Sequence, residues 1–121
     1  MTDKDSELNH LPQLDQGTLA ELEELLNDEF PDLIETFIED AQHRIQTLES
    51  EWAQARWLAL KQSAHSFKGS SLNIGALRLA ELCRQLEISA QAEQVKECQA
   101  LISAIRLNLN EVMDALNAKL L

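Results

Sequence analysis

The residues best suited to chemistry in this chain lie within residues 64–75, which read AHSFKGSSLNIG. His65 is followed by Lys68 after three positions and by Gly69 after four. The inward positions of the segment repeat with the spacing of one buried helical face: Leu60, Ala64, Phe67, Ser71 and Ile74. On such a helix His65 lies roughly 140° from the centre of that face, and Gly69 lies roughly opposite it. The pattern therefore predicts an imidazole that faces water, with no side chain on the next turn.

These residue types fit a nucleophile that handles an anionic group. An unperturbed imidazole is largely neutral, and hence nucleophilic, near neutral pH. Lys68, one turn away, offers a point charge for phosphoryl oxygens. A glycine inside a helix costs about 1 kcal/mol relative to alanine, and access for a bulky partner is a reason for Gly69 to be there. His10 and His43 have no such neighbours, and we expect both to be plain surface residues.

The distribution of charge separates the histidine segment from the rest of an acidic chain. The net charge is −11, with 15 acidic and 2 basic side chains in residues 1–51 but 6 acidic and 8 basic in residues 52–121. Residues 52–87 carry 5 basic and 2 acidic side chains. We do not expect a protein with this net charge to bind nucleic acid, because such binding needs Lys and Arg to neutralise the phosphates. The local positive balance around His65 suits phosphoryl groups or the acidic pocket of a partner.

The composition predicts a single all-α domain. The 121 residues include only three Gly and two Pro, which is typical of a helical protein and sufficient for one core. Four amphipathic segments with short connections favour an antiparallel up-down-up-down four-helix bundle with a short extra N-terminal helix. We expect residues 1–13 to be a flexible tail and residues 14–121 to be the bundle domain.

Start and stop signals set the expected helix boundaries. Residues 18–21 read as a capping box opened by Thr18, and Asp28 is the expected cap of the next helix, with Pro31 in its first turn. The histidine helix is predicted over about residues 56–73, closed by Gly75. The following helix is expected over about residues 76–90, and the last shows an apolar period from Val95 onwards. Residues 54–56 and 90–93 contain neither Gly nor Pro, so those boundaries are poorly marked and the first could be continuous helix.

The histidine segment resembles the signature of histidine-containing phosphotransfer (HPt) domains, His-x-x-Lys-Gly followed by a further glycine. His65, Lys68, Gly69 and Gly75 stand at those positions. The next helix, residues 77–87, is similar to the one that follows the active histidine in that family. The resemblance implies that Glu87 accepts a hydrogen bond from the imidazole nitrogen that is not the nucleophile, with Gln85 as the alternative.

The same resemblance implies a phosphocarrier without ATP-dependent kinase activity. His65 would pass phosphoryl groups between the aspartates of receiver domains in hybrid sensor kinases and response regulators. We expect no cofactor and no metal in this chain, since Mg²⁺ would belong to the receiver. Leu58 and Leu72, seven residues either side of His65, are expected on its exposed face as docking residues; scattered surface leucines are the simpler alternative.

Other features concern location and rival functions. Cys83 and Cys98 are expected to be buried free thiols, and no signal peptide or apolar run long enough to span a membrane is evident, so we expect a monomeric, cytoplasmic protein that binds no membrane. The main rival is a non-catalytic helical adaptor in which His65 is incidental. A sensor kinase would need glycine-rich nucleotide boxes, and a metal-binding bundle would need inward Glu-x-x-His pairs.

Overall fold

The structure is a computed structural model, and it describes residues 10–121. The described chain contains five α-helices and one short 3₁₀ turn, with no strand among these residues. The helices are α1 (Gln16–Leu26), α2 (Phe30–Ala53), α3 (Trp57–Asn73), α4 (Leu77–Gln91) and α5 (Val95–Lys119), and the 3₁₀ turn is Asn27–Glu29.

The four long helices form the predicted antiparallel bundle. Three-residue connections join α2 to α3, α3 to α4 and α4 to α5, so each helix runs back along its predecessor, and α5 closes the ring against α2. The closest packing is between α3 and α4. Most residues of the expected inward faces are buried, but Trp52 and Leu120 are half-buried, and Val95, at the first turn of α5, is 51% exposed.

Left-handed residues end three of the helices. Ala55, Gly75 and Glu93 have positive φ angles of 54°, 79° and 54°. In each case the next amide donates to a carbonyl five residues back: Arg56 to Glu51, Ala76 to Ser71 and Gln94 to Ser89. This is the Schellman arrangement that glycine usually completes. Helices α2 and α3 are therefore separate, although no Gly or Pro marks the turn between them.

The N-terminal caps differ from the sequence prediction. The cap of α1 is Asp15, whose carboxylate accepts hydrogen bonds from the backbone N–H of Gly17 and from the Thr18 hydroxyl. Thr18 is thus a donor to the cap rather than the cap itself. Asp28 is also not a cap, because the 3₁₀ turn carries the chain into α2 and Glu29 precedes that helix without a side-chain capping bond.

The N-terminal segment packs against the turn between α3 and α4. The backbone N–H of Asp15 donates to the carbonyl of Gly75 at 2.8 Å, and the Arg78 guanidinium donates to the carbonyl of Leu11. The described part of the predicted tail, residues 10–13, therefore contacts the bundle, whereas residues 1–9 lie outside the described residues. Among residues 10–121, no helix is long and apolar enough to cross a membrane.

Candidate functional site

Helix α3 presents His65 to solvent on the face opposite the core. Its neighbours Ala64 and Phe67 are fully buried, whereas the His65 side chain is 64% exposed. Ser71, the one polar residue on the inward stripe, is also buried, and its hydroxyl donates to the carbonyl of Phe67 at 2.8 Å. That bond satisfies the hydroxyl within the helix, so the stripe can face the core without an unpaired polar group.

Helix α4 brings Glu87 to the imidazole. Both carboxylate oxygens of Glu87 lie 3.1 Å from Nδ1 of His65. The alternative acceptor, Gln85, is buried at 8% exposure, whereas Glu87 stands on the edge of α4 that faces α3. The close packing of these two helices therefore joins residues that are 22 positions apart in sequence.

Lys68 contacts the same Glu87 carboxylate. Its ammonium nitrogen is 3.5 Å from Oε1 of Glu87, and its side chain is 27% exposed. The sequence predicted Lys68 one turn from His65 but gave no partner for it. In the structure the Lys68 ammonium and the His65 imidazole therefore share one carboxylate.

The electrostatics of Glu87 determine which imidazole nitrogen carries the proton. Partial burial acts to raise the pKa of Glu87, but the hydrogen bond and charge of His65 and the charge of Lys68 outweigh it, and the pKa lies below its ordinary value. Glu87 is therefore ionised at neutral pH and can only accept hydrogen bonds. A neutral His65 then carries its proton on Nδ1, and Nε2 holds the free lone pair.

Space around the histidine is open on the next turn. A Cβ atom built at Gly69 would meet nothing within 4 Å. Leu58 and Leu72 are 68% and 49% exposed, so both stand on the outer surface of α3 as expected. The described surface around His65 thus combines an accessible imidazole with two apolar side chains on the same helix.

A cavity with basic side chains in its lining lies beside Glu87, and the sequence did not predict which residues line it. It measures about 320 Å³ and is lined by Lys61, Lys68, Arg84, Glu87, Ile88 and Gln91. Ile88 is 55% exposed although it directly follows Glu87. The signals available in the sequence were the excess of basic residues over positions 52–87 and an isoleucine off the inward stripe of α4. Neither signal fixes which side chains converge, because that depends on how α3 packs on α4.

Other reactive groups in the described chain are poorly placed for the same chemistry. Burial raises the pKa of Cys83 to about 12 despite the nearby charges of Arg44 and Lys68, so the thiolate is scarce at neutral pH. Burial likewise raises the pKa of Cys98, and both cysteines are free thiols. Residues 10–121 contain no group of three His, Cys, Asp or Glu side chains that could hold a metal ion.

The chain matches one family model and is similar to two known bacterial proteins. Residues 32–118 match the model of the Hpt domain family. The phosphorelay protein LuxU of Vibrio harveyi is 32% identical over 85 residues, which cover 69% of this chain and 75% of LuxU. The sensory/regulatory protein RpfC of Xanthomonas campestris pv. campestris is 29% identical over 108 residues, which cover 88% of this chain but only 15% of RpfC.

A solved structure shares the fold over nearly its whole length. The crystal structure of histidine-containing phosphotransfer protein B (HptB) from Pseudomonas aeruginosa PAO1 superposes with a TM-score of 0.86 at 36% sequence identity. The match covers 89% of this chain and 94% of HptB. The two proteins therefore share amino-acid sequence as well as helical architecture.

Proposed function

This chain belongs to the Hpt domain family, and we propose that it carries a phosphoryl group on His65 between the aspartates of receiver domains. The family match, the likeness to HptB and the similarity to the phosphorelay protein LuxU support histidine phosphotransfer in a phosphorelay as this function. The observation that carries the assignment to His65 is its exposed imidazole, bound at Nδ1 by an ionised carboxylate and open on the next helical turn.

The proposed reaction uses Nε2 of His65 as the nucleophile. Its lone pair attacks the phosphorus of a receiver's aspartyl phosphate, forming a P–N bond while the P–O bond to the aspartate breaks and the carboxylate leaves. The proton on Nδ1 stays in the hydrogen bond to Glu87, which stabilises the positive charge that develops on the ring. Transfer to a second receiver runs the same step in reverse, with an aspartate as the acceptor.

We propose that the Lys68 ammonium pairs with a different anion in the free protein and in the phosphorylated protein, while Glu87 keeps its contact with the imidazole in both. In the free protein the Lys68 ammonium lies against Glu87. When a phosphoryl group arrives on Nε2, the flexible lysine side chain can turn towards its oxygens, because phosphoryl transfer depends mainly on positioning and charge neutralisation. Glu87 then remains with the imidazole and keeps the ring orientation, so it is a positioning residue rather than a reacting one.

The proposed partners are receiver domains that dock over the exposed face of α3. Leu58 and Leu72 would supply apolar contacts on either side of His65, and the basic side chains near Glu87 would favour the acidic pocket of a receiver. Any Mg²⁺ needed for transfer would belong to that pocket. The proposal also treats the chain as a monomeric, cytoplasmic carrier that has no ATP-dependent kinase activity and binds neither nucleic acid nor membrane.

A labelling experiment separates this proposal from its rivals. A receiver phosphorylated with ³²P is mixed with the wild-type chain, with His65→Gln and with His43→Gln, in which a surface histidine of α2 is replaced. We expect acid-labile label on the wild type and on His43→Gln, and none on His65→Gln. Label on His65→Gln would overturn the assignment, binding of the receiver without any transfer would favour the adaptor, and labelling by ATP alone would indicate a kinase.

A further inference from the structure

Two lysines flank His65 on the same side of α3. Lys61 comes four residues before His65, and Lys68 comes three residues after it. At about 100° per residue the two lysines lie within about 20° of each other around the helix axis, one turn on either side of the imidazole. Both line the cavity of about 320 Å³ beside Glu87. The phosphotransfer proposed above uses only Lys68 of this pair.

The two ammonium groups have different partners on α4. Lys68 lies 3.5 Å from a carboxylate oxygen of Glu87, whereas the Lys61 ammonium donates to the amide oxygen of Gln91 at 2.5 Å. Glu87 and Gln91 are one turn apart on α4. A carboxylate neutralises the ammonium that it binds, whereas a neutral carboxamide only orients it. The contact with Gln91 therefore holds Lys61 in place without compensating its positive charge.

The remaining charged side chains around Lys61 have other positions or partners. Arg84 lines the same cavity, and its Nε donates to both carboxylate oxygens of Glu81, at 2.9 and 2.7 Å. Glu93 borders Lys61 in a second cavity of about 180 Å³, whose other lining residues on α3 come before Lys61, on the side away from His65. The cavity beside the imidazole thus contains two cations bound by carboxylates and one, Lys61, bound by an amide.

Phosphorylation of His65 would add more negative charge than Lys68 alone can balance. A phosphoryl group carries about 1.5 to 2 negative charges at neutral pH. The positive charge on the ring is offset by Glu87 through Nδ1, and the Lys68 ammonium balances one charge of the phosphoryl group. Up to about one further negative charge is left on the phosphoryl oxygens, which a second cation within reach would bind.

We infer that Lys61 is a second phosphoryl-binding residue, an inference that rests on the proposed transfer to His65. When the group arrives on Nε2, the Lys61 ammonium leaves the Gln91 amide and binds a phosphoryl oxygen, so that Lys61 and Lys68 hold the group from both sides along α3. Gln91 is a positioning residue, which keeps Lys61 one turn from the imidazole in the free protein. A contact made only in the phosphorylated state favours that state.

The equilibrium constant for phosphoryl transfer from a ³²P-labelled receiver to His65 tests this inference. It is measured at concentrations at which the free proteins predominate, so that docking affinity does not enter. Lys61→Ala should shift the constant about fivefold towards the phosphorylated receiver, as expected for a partly exposed charge pair. Lys61→Arg should restore most of the loss. Lys96→Ala, at an exposed position of α5, removes the same charge elsewhere and should leave the constant unchanged.

Variants of Gln91 test its part separately. Gln91→Glu gives Lys61 a charged partner and should lower the equilibrium constant, whereas Gln91→Met releases the ammonium without adding charge and should not lower it. Gln99→Glu, at an exposed position of α5, is the control for the added carboxylate and should have no effect. Circular dichroism checks the fold of every variant.

The outcomes distinguish this inference from the function on which it rests. Absence of label on wild-type His65 would refute the proposed function itself. Normal labelling with an unchanged equilibrium constant in Lys61→Ala would overturn the role of Lys61 and leave the proposed function standing. A residue that acts only in docking changes the forward and reverse rates together, so altered rates with an unaltered constant would also overturn it. Equal losses in Lys61→Ala and Lys96→Ala would indicate an effect of net charge and count against it too.

Discussion

Glu87 on α4 holds His65 on α3 through Nδ1, with both carboxylate oxygens at 3.1 Å. The same carboxylate lies 3.5 Å from the Lys68 ammonium. The Glu87 carboxylate therefore determines which imidazole nitrogen carries the proton, and it also binds the Lys68 ammonium.

The first prediction concerns the pH dependence of Glu87. Because its pKa is lowered in the folded state, its contribution to stability is complete above the ordinary carboxyl range and is lost as the pH falls through the folded value. An NMR titration of the side-chain carboxyl should give a midpoint below that of an ordinary Glu. In Lys68→Ala the midpoint should rise, because a positive neighbour has been removed; an unchanged midpoint would mean that Lys68 does not act on Glu87.

Replacement of Lys68 should slow phosphotransfer without unfolding the protein. A charge-assisted contact is worth roughly 1.5–3 kcal/mol, so Lys68→Ala should lower the transfer rate by about ten- to hundredfold. Lys61→Ala is the comparison, because it also removes a positive charge from the cavity, but the Lys61 ammonium is bound to Gln91 rather than to Glu87, so we expect a smaller loss of rate. Rapid-quench transfer from a phosphorylated receiver measures the rate, and circular dichroism checks the fold. Equal rates for wild type and Lys68→Ala would remove this lysine from the reaction.

Substitutions of Gly69 should affect the stability of the fold and the rate of phosphotransfer differently. A Cβ atom at this position meets nothing within 4 Å, so Gly69→Ala should raise the free energy of unfolding by about 1 kcal/mol. Gly69→Leu should fold but obstruct the approach of a receiver and slow transfer. Thermal melts and transfer rates of the two variants provide the comparison, and normal transfer by the leucine variant would contradict the role of this glycine in access.

The turns at Ala55 and Glu93 should be improved by glycine. Both residues adopt a positive φ of 54°, which costs a residue with a Cβ atom roughly 1–2 kcal/mol. Ala55→Gly and Glu93→Gly should therefore each raise the free energy of unfolding by about 0.5–1 kcal/mol, after the greater chain entropy of glycine is subtracted. Ala53→Gly, inside the last turn of α2, is the control and should destabilise. Urea denaturation measures all three, and a loss of stability in both turn variants would be the contrary result.

Docking should depend on the leucines beside His65 more than on the acidic helix. Leu72 is 49% exposed on α3, and a buried charge in place of an apolar anchor typically costs more than about 1 kcal/mol at an interface. Leu72→Asp should therefore weaken receiver affinity by about fivefold or more. Glu39→Lys, which reverses a charge at an exposed position of α2, should have little effect on receiver affinity. Calorimetric titration of both variants decides the matter, and a larger loss for Glu39→Lys would move the docking face to α2.

The local pattern of the sequence was enough to predict the helices and the exposure of His65. Helical period depends only on neighbours three and four positions apart, so the inward stripe of α3, the outward imidazole and the closing role of Gly75 could all be read along the chain. The antiparallel bundle followed from short connections between amphipathic helices. The family resemblance pointed to Glu87, a residue that periodicity alone would have left as one surface acid among many.

Tertiary packing decided what no single helix contains. The choice between Glu87 and Gln85, the pairing of Lys68 with Glu87 and the cavity beside Ile88 all depend on the rotation and register of α4 against α3. The turns at Ala55 and Glu93 also had no local signal, because residues with a Cβ atom adopt a positive φ only when the packing of the adjoining helices compensates the strain. The sequence by itself determined which residues face water; contact between helices determined which of them meet.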